Sequence, residues 1–350
     1  MQNMTLTERI ESFSELGEVL RSSLAGTNAK YSANLGSLIT GQQVKNPWFT
    51  PANVRMAIKA IADELTGENL VAWTSRYPAL VSVNKPLTAG IIMPGNIPLA
   101  GFHDFLCTLI TGNRVIAKTS SKDPDLIGFV AGILSDINKG FRKMITITDN
   151  LLKGFDVVIA SGSTNSSRYF EYYFGRYPHI IRKNRNSAGI LEGNETAEET
   201  GNLGKDIFSY FGLGCRNVSK IFIPQTYDLT EMIPAWDSYS WLKDHNKYAN
   251  NYDFHKAVFL INREKFIDTG YVLMKESKEL ASPVAVLYYE RYKSEADVFS
   301  KIDQMSDKIQ CVVGRKYVPF GSAQQPCLWD YADRVDTIEF LLKKNPAGIL

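Results

Sequence analysis

The sequence predicts an α/β protein with a parallel sheet and a second, smaller α/β domain. Two observations carry this prediction. From Thr88 onward, short apolar segments alternate with helix-like segments of about 10–15 residues, which is the pattern of βαβ units. The chain has 350 residues, enough for two domains, and its 44% hydrophobic and 22% charged residues are typical of globular proteins.

The first 80 residues are expected to be helical. Thr5 and Thr7 are candidate N-caps of a first helix. Thr50 as an N-cap, followed by Pro51, predicts another helix that ends before Gly67. No pattern in this region is typical of a chemical site, so its expected role is packing or oligomer contact.

Four apolar segments are expected to form the parallel sheet, and they are TAGIIM, NRVIAK, MITIT and FDVVIA. The expected helices are LAGFHDFLCTLIT, DPDLIGFVAGILSDI and NSSRYFEYYFGRY. Ligands of such sheets bind beyond the carboxyl ends of the strands. Cofactor contacts are therefore expected in the loops after TAGIIM, NRVIAK and FDVVIA.

After about residue 204 the sequence predicts a second α/β region. Its strand-like segments are SKIFIP, KAVFLI, GYVLM, PVAVLYY and QCVVG, and the helix-like SEADVFSKIDQMSDKI precedes the last of them. The amphipathic segment LWDYADRVDTIEFLLKK follows near the end of the chain.

Composition argues against several classes of function. The 39 basic and 37 acidic side chains leave a net charge of +2, so no strong field attracts nucleic acid or anionic lipid. The long apolar stretches are interrupted by Pro and Gly and do not predict a membrane span. The N-terminal segment lacks a signal-peptide pattern, and we expect a cytoplasmic protein. Four cysteines without a CxxC pair argue against a disulfide framework, and four scattered histidines argue against a metal site.

The informative motifs are four loops that each follow or precede a predicted strand. They contain MPGNIPLAGF (93–102), VIAKTSSKDP (115–124), IASGSTNSSRYF (159–170) and FGLGCRNVSKIFIP (211–224). No complete GxGxxG and no P-loop motif is present. Taken in this order, the loops resemble the PWNFP-like, KPSE-like, GST and Gly-x-Gly-Cys segments of the aldehyde dehydrogenase superfamily. ELASP (279–283) is similar to the Glu-x-Phe-Gly-Pro segment of that family.

Within this superfamily the chain most resembles the fatty acyl-CoA reductases of the bacterial-luminescence type, through PGNIPLAGFHDFL and the late VPFGSAQQP (318–326). The likeness covers about residues 85–330. Only 64 residues separate Cys215 from Glu279, so the second domain is trimmed. The resemblance implies an aldehyde-dehydrogenase-like fold, with a nucleotide-binding domain of residues 1–203 joined by 315–350 and a cysteine-bearing domain of residues 204–314.

Cys215 is the candidate nucleophile. Its small neighbour Gly214 leaves room for a substrate carbonyl, and Arg216 could lower the pKa of the thiol. The resemblance implies that the side chain of Asn96 and the backbone N–H of Cys215 stabilise the oxyanion. Asn96 as an ordinary turn residue and Cys215 as a small buried residue stay open as alternatives. Of the other cysteines, Cys107 and Cys311 are expected in the core, and Cys327 is a weaker candidate for the nucleophile.

The loops after the first two strands supply candidate cofactor ligands: Pro94, Lys118, Ser120, Ser121 and Lys122. In the resemblance, Lys118 contacts the adenosine ribose, and NAD-using members place an acidic residue where Ser121 stands. Replacing a carboxylate by Ser121, with Lys122 beside it, favours a 2′-phosphate. We therefore predict NADPH rather than NADH; the alternative is that Lys122 is a solvated lysine at a helix start.

The loop after FDVVIA and the segment ELASP complete the candidate cofactor site. The backbone N–H groups of Gly162, Ser163 and Thr164 would face the pyrophosphate at a helix N-terminus, although Ser163 or Thr164 could instead simply cap the helix. Glu279 would hold the nicotinamide ribose, and Ala281 stands where the family has Phe.

The water-activating Glu of aldehyde-oxidising members has no clear counterpart. The corresponding stretch, HIIRKNRNSAGIL (179–191), is basic, and Glu192 falls too close to Cys215 in sequence. Without a positioned carboxylate, hydrolysis of an acyl-enzyme should be slow. The cluster of Arg182, Lys183 and Arg185 either suits the phosphates of CoA or is a solvated basic edge.

These residues together predict an acyl-CoA reductase that converts an acyl-CoA, or another acyl thioester, to an aldehyde with NADPH. An aldehyde-oxidising dehydrogenase and a non-catalytic or acyl-transfer protein that keeps the fold are the alternatives. A homo-oligomer is expected, and the resemblance suggests an acyl-transfer partner protein. Six aromatic residues within 236–255 either line an acyl channel or pack the trimmed domain.

Overall fold

The computed structural model describes residues 4–82 and 85–344, and these form two compact units. The first unit comprises the described residues up to Lys183 together with those from Cys327 onward, and the second unit is Asn184–Pro326. These limits differ from the predicted ones at 203/204 and 314/315. The reason is that a strand at Asn186–Ile190 pairs with strands of the second sheet, which moves the start of the second unit upstream.

The N-terminal part of the first unit is helical, as the sequence predicts. Its helices are α1 (Leu6–Leu24), α2 (Ser32–Lys45), α3 (Pro51–Glu64) and α4 (Gly67–Thr74). Thr5 caps α1 in a capping box with Glu8, and Thr50 caps α3 with Pro51 in its first turn. The predicted caps at Thr5 and Thr50 are therefore confirmed. Fully buried Phe13 and Trp73 belong to one core with the helices that cover the first sheet.

The first sheet has five parallel strands in the order β3-β2-β1-β4-β5. The strands are β1 (Thr88–Ile92), β2 (Arg114–Lys118), β3 (Ile145–Thr148), β4 (Val157–Ser161) and β5 (His179–Arg182). The helices are α5 (Phe102–Ile110), α6 (Leu126–Ile137) and α7 (Thr164–Phe174). The four predicted strands are confirmed, and β5 is an addition. Because the chain crosses from one side of β1 to the other, the crevice beyond β1 and β4 is the expected ligand position.

The second sheet has the order β11-β6-β7-β10-β9-β8, with the short β8 antiparallel to β9 and the other pairs parallel. Its strands are β6 (Asn186–Ile190), β7 (Val218–Pro224), β8 (Ile267–Asp268), β9 (Leu273–Glu276), β10 (Val286–Tyr292) and β11 (Ile309–Val313). The helices are α8 (Ala197–Phe208), α9 (Asn246–Ile261) and α10 (Glu295–Gln304).

The strand predicted at KAVFLI is wrong, because these residues form the last turns of α9. A short apolar run fits a buried strand or a helix equally well by periodicity. Here Tyr252 and Phe259 lie on the buried face of a helix that His245 caps, while Leu260 and Ile261 are exposed.

A buried ion pair joins the first sheet to the C-terminal helix α11 (Thr337–Lys344). Arg182 at the end of β5 donates to both carboxylate oxygens of Asp104, at 3.2 and 2.6 Å, and to Thr337 Oγ1 at 2.9 Å. Arg182 is 5% exposed, so the expectation that it forms part of a solvated edge or binds CoA phosphates is wrong. Burial opposes ionisation, yet the charge of Arg182 lowers the pKa of Asp104.

Within the described residues, no helix has both the length and the apolar character that crossing a membrane requires.

Candidate functional site

The loops that follow β1 and β2 meet at the carboxyl edge of the first sheet. Met93 N–H donates to the carbonyl of Lys118 at 3.0 Å, which extends the pairing of the two strands. A Cβ atom on Gly95 would collide with the side chain of Ser120, so only glycine allows this approach. The structure therefore brings the loop of Pro94 and Asn96 against the loop of Ser120, and the side chain of Asn96 is exposed.

A buried carboxylate, which the sequence did not single out, fixes this approach. Asp123 accepts a hydrogen bond from Leu99 N–H at 2.9 Å, and Leu99 adopts a left-handed φ of 56°. Burial raises the pKa of Asp123 to about 6. The motif KTSSKDP contains this aspartate, but only the fold shows that it reaches across to the first loop.

Lys118 and Lys122 place positive charge at this edge. Lys118 Nζ donates to the carbonyl of Asp149 at 2.5 Å, and Lys122 is exposed beside exposed Ser121. The end of α2 braces this loop, because Asn46 Nδ2 donates to the Lys122 carbonyl at 3.3 Å. The N-terminal helices thus support the candidate cofactor loop, a role for which the sequence offered no signal.

The loop after β4 leads directly into α7 at the same edge of the sheet. Ser163 caps α7 and accepts from Ser166 N–H at 3.2 Å, so the capping role is observed. A Cβ on Gly162 would approach Ser166 and Phe170 to 2.9 and 2.8 Å, which explains the glycine. Thr164 is the first residue of α7, and its side chain lies outside what the structure describes.

Cys215 lies in a tight turn just before β7 in the second unit. Gly214 N–H donates to Asn217 Oδ1 at 2.8 Å, and Asn217 N–H donates to the Gly214 carbonyl at 3.0 Å. Asn217 Nδ2 also donates to backbone carbonyls at the end of α8, including that of Ser209 at 2.8 Å. The carbonyl of Cys215 accepts from Ser187 Oγ on β6 at 3.0 Å. The backbone that carries the sulfur is therefore held from several sides.

The four cysteines differ in exposure, and the two that the sequence predicts in the core are buried. Cys215 is half-buried, and Cys107 and Cys311 are buried in the cores of their units. Burial raises the pKa of the Cys107 thiol well above its usual value, which makes it a poor nucleophile. Cys327 is exposed and belongs to the first unit.

Strained backbone precedes Cys215. Tyr210 and Phe211 have φ values of 51° and 59°, and Gly212 follows at 76°. Left-handed backbone at a residue other than glycine costs on the order of 1–3 kcal/mol and is concentrated at functional sites. α8 ends at Phe208, and after Ser209 these three left-handed residues lead the chain to Cys215.

Asp206 and Arg216 hold the segment 318–326 beside the cysteine turn. Asp206 is fully buried and accepts from the N–H groups of Gly321 and Ala323 at 2.6 and 2.9 Å. Arg216 Nε donates to the carbonyl of Ala323 at 2.5 Å. Burial raises the pKa of Asp206 to about 6 despite these hydrogen bonds. The motif VPFGSAQQP is thus a structural partner of the Cys215 turn.

Glu279 lies in the segment between β9 and β10, and Glu192 follows the carboxyl end of β6. Leu280, next to exposed Glu279, accepts from Ser219 Oγ at 2.8 Å near the start of β7, which is the edge of Cys215. Glu192 follows the far end of β6 and pairs with Arg315 at 3.2 Å. At about 3.3 Å per residue, Glu192 lies on the order of 15 Å along the strand from Ser187, which touches Cys215.

The candidate residues fall in both units. Cys215 and Glu279 belong to the second unit and the remaining candidates to the first. Across residues 4–82 and 85–344, no three His, Cys, Asp or Glu side chains are grouped so that they could hold a metal ion.

Comparison with known proteins agrees with this description. No family model matches the chain. The long-chain acyl-protein thioester reductase of Aliivibrio fischeri is 24% identical over 227 residues, which cover 59% of this chain and 46% of that protein. The chain thus spans about half the length of this curated relative.

Solved structures show the fold. The aldehyde dehydrogenase of Mycobacterium tuberculosis complexed with NAD+ superposes with a TM-score of 0.60 at 14% identity, covering 86% of this chain and 72% of that chain. An aldehyde dehydrogenase of Physcomitrella patens, in complex with succinate, superposes with a TM-score of 0.64 at 10% identity, covering 98% and 85%. The chain has an aldehyde-dehydrogenase-like α/β fold, and the resemblance to that superfamily and to its luminescence-type reductases is confirmed.

Proposed function

We propose that this chain is an acyl thioester reductase that converts an acyl-CoA to an aldehyde with NADPH. The observation that supports it most is the half-buried Cys215 in a turn that hydrogen bonds and strained backbone hold in place, within an aldehyde-dehydrogenase-like fold. The similar protein from Aliivibrio fischeri is a long-chain acyl-protein thioester reductase, which supports thioester reduction by this chain. A protein-bound acyl group is therefore the alternative substrate.

The proposed reaction begins with attack of the Cys215 thiolate on the thioester carbonyl. The Asn96 amide and the backbone N–H of Cys215 stabilise the oxyanion, and CoA leaves as a thiol after gaining a proton. NADPH, held by the candidate residues of the first unit, would supply the hydride that reduces the acyl carbon. Collapse of the resulting thiohemiacetal releases the aldehyde and regenerates Cys215. One thioester, one NADPH and one proton thus give one aldehyde, one CoA and NADP+.

The carboxyl edge of the first sheet suits a nicotinamide dinucleotide. Gly95 lets two loops close on each other there, and Ser163 and Gly162 open a helix whose N-terminus favours a pyrophosphate. Ser121 stands where the resemblance places the acidic residue of NAD-using members, and exposed Lys122 beside it offers a cation, which supports the 2′-phosphate of NADPH.

Aldehyde oxidation through Glu192 is disfavoured by geometry. That oxidation needs a carboxylate that activates water next to the acyl-cysteine. Glu192 lies at the opposite edge of its sheet and is paired with Arg315. The acyl group on Cys215 is therefore expected to persist long enough to receive hydride.

The test follows NADPH absorbance with acyl-CoA and identifies the aldehyde. Wild-type protein should consume NADPH, and Cys215→Ala should abolish turnover. Cys327→Ala is the matched control, since it removes an exposed thiol, and should leave the rate unchanged. Intact mass should show one acyl adduct that Cys215→Ala loses. Normal turnover by Cys215→Ala would refute the nucleophile, and an adduct without nicotinamide nucleotide binding would indicate acyl transfer.

A further inference from the structure

Asp123 links the two loops that carry candidate residues at the carboxyl edge of the first sheet. It directly follows the candidate cofactor ligands of segment 118–122, and it accepts a hydrogen bond from Leu99, three residues after Asn96. We propose that Asp123 is a positioning residue, which holds the loop of Asn96 in the shape that lets the Asn96 amide stabilise the oxyanion. This inference rests on the proposed function.

The loop of Asn96 is tied at both of its ends to the segment that follows β2. At its start, Met93 N–H donates to the carbonyl of Lys118 at 3.0 Å. At its end, Leu99 N–H donates to Asp123 Oδ2 at 2.9 Å. Asn96 lies halfway between these two hydrogen bonds along the chain, so the position of its backbone depends on both of them.

The backbone at Leu99 has a conformation that needs such support. Its φ of 56° lies in the left-handed region, which residues other than glycine rarely adopt. Strained backbone of this kind persists where the surrounding structure holds it, and it is concentrated at functional sites. The hydrogen bond from Leu99 to Asp123 therefore helps to fix the direction in which the chain leaves Asn96.

A carboxylate is a costly group for a purely structural link at this place. Asp123 is 7% exposed, and its Oδ1 atom is buried without a hydrogen-bond partner among the described residues. Burying a charged oxygen that lacks a partner destabilises the folded state, whereas a neutral acceptor could bind one N–H at lower cost. This cost, paired with a strained residue beside a candidate oxyanion ligand, favours a role in the reaction over packing alone.

The same link reaches the candidate cofactor loop. Asp123 N–H donates to the carbonyl of Ser120 at 3.0 Å, which closes a turn that includes Lys122. A Cβ atom on Gly95 would lie 2.9 Å from Lys122 Cβ, so the two loops are in contact one residue before Asn96. A nucleotide phosphate that binds Lys122 would thus stabilise the turn that also holds the Asn96 loop.

The test measures acyl-CoA reduction by Asp123→Ala, Asn96→Ala and the double variant at saturating NADPH. Loss of one oxyanion donor lowers kcat about 10²–10³-fold, so we expect a loss of this size in Asn96→Ala. Asp123→Ala should lower kcat about tenfold or more and change KM for acyl-CoA much less, because misplaced groups act on the transition state. Wild-type kcat in either single variant would overturn the inference.

The double variant shows whether Asp123 acts through Asn96. If it does, adding Asp123→Ala to Asn96→Ala should lower kcat less than about threefold further, because the group that Asp123 positions is already absent. A further tenfold loss in the double variant would show that the two residues act independently, and it would overturn the inference.

Two variants control for a merely structural role. In Asp123→Asn an oxygen can still accept from Leu99 N–H, so kcat should return to within about threefold of wild type. Asp125 lies on the same loop and accepts from Gln42 and Lys45 of α2 at 3.0 and 2.5 Å. Asp125→Asn therefore removes a neighbouring charge but not the bond to Leu99, and it should keep the wild-type kcat.

Amide hydrogen exchange separates this inference from the proposed reaction. Without substrate, segment 93–99 should exchange faster in Asp123→Ala than in wild type or Asp125→Asn, because Leu99 N–H loses its acceptor. Faster exchange there, with no reduction of acyl-CoA by the wild type, would refute the reductase and support the link between the loops. Reduction by the wild type at a rate that Asp123→Ala matches would overturn this inference alone.

Discussion

Removing one partner of the buried pair between Arg182 and Asp104 should strongly destabilise the protein. The two side chains are 5% and 9% exposed, and the shortest distance between them is 2.6 Å. Losing one partner of such a pair leaves an uncompensated buried charge and costs about 3–5 kcal/mol. Native proteins are stable by about 5–15 kcal/mol, so Arg182→Met should remove a large fraction of the total.

The assay is urea unfolding of Arg182→Met, Asp104→Leu and the double variant. We expect each single change to lower the free energy of unfolding by about 3–5 kcal/mol, and the double variant to lose less than their sum, because no lone charge remains. Arg142→Met is the control, since its ion pair with Asp136 is 57% and 37% exposed and should contribute at most about 1 kcal/mol.

The pH dependence of the free energy of unfolding gives an independent check on the same pair. In the wild type, Arg182 lowers the pKa of Asp104 against the effect of burial, so this group contributes stability at neutral pH that is lost as pH falls. In Arg182→Met the hydrogen bond from Thr337 remains, but burial, the largest influence on this pKa, raises it, so the variant should gain stability on acidification. A loss below about 1 kcal/mol in Arg182→Met, with an unchanged pH dependence, would refute the reasoning.

Three further outcomes follow from the site. Lys122→Glu should weaken NADPH binding about tenfold and NADH binding much less, measured by nucleotide fluorescence; equal losses would contradict a 2′-phosphate role. Asn217→Ala should lower the free energy of unfolding by about 1–3 kcal/mol in urea, because the N–H of Gly214 and the carbonyl of Ser209 lose a buried partner; a change within about 0.5 kcal/mol would contradict it. Burial raises the pKa of Asp123 from 3.8 to about 6. The contribution of this group to the free energy of unfolding is therefore complete below about pH 4, and it falls by roughly 3 kcal/mol as pH rises through 6. Asp123→Asn should remove that fall, and an unchanged urea profile across this range would show that Asp123 does not titrate there.

Much of the fold could be predicted because local signals and burial agree in this chain. The caps at Thr5 and Thr50 are local hydrogen-bonding choices, and they appear where the residue types place them. The strands of the first sheet are short apolar runs between helices, which only a covered parallel sheet accommodates. The strand predicted at KAVFLI is wrong because a short apolar run fits a strand or a helix equally well by periodicity. In α9 part of this run faces solvent.

The candidate site could be predicted only as a set of loops. The sequence singled out Cys215 and the segment of Gly95, but Asp123, Asp206 and Asn217 carried no motif that distinguishes them from surface polar residues. Each reaches backbone groups that lie some distance away along the chain, so its role depends on chain crossings. Likewise, nothing in the run of basic residues marked Arg182 as the buried one.

The amino-acid order alone determined the alternation of helices and strands, the identity of the reactive thiol candidate and the loops that a parallel sheet gathers at its carboxyl edge, since these depend on neighbours within a few residues. Only the tertiary structure decided which charges are buried and that Glu192 lies far from Cys215. Those outcomes depend on which distant segments pack together. Burial and charge pairing contribute to the free energy of folding only when these segments are in contact.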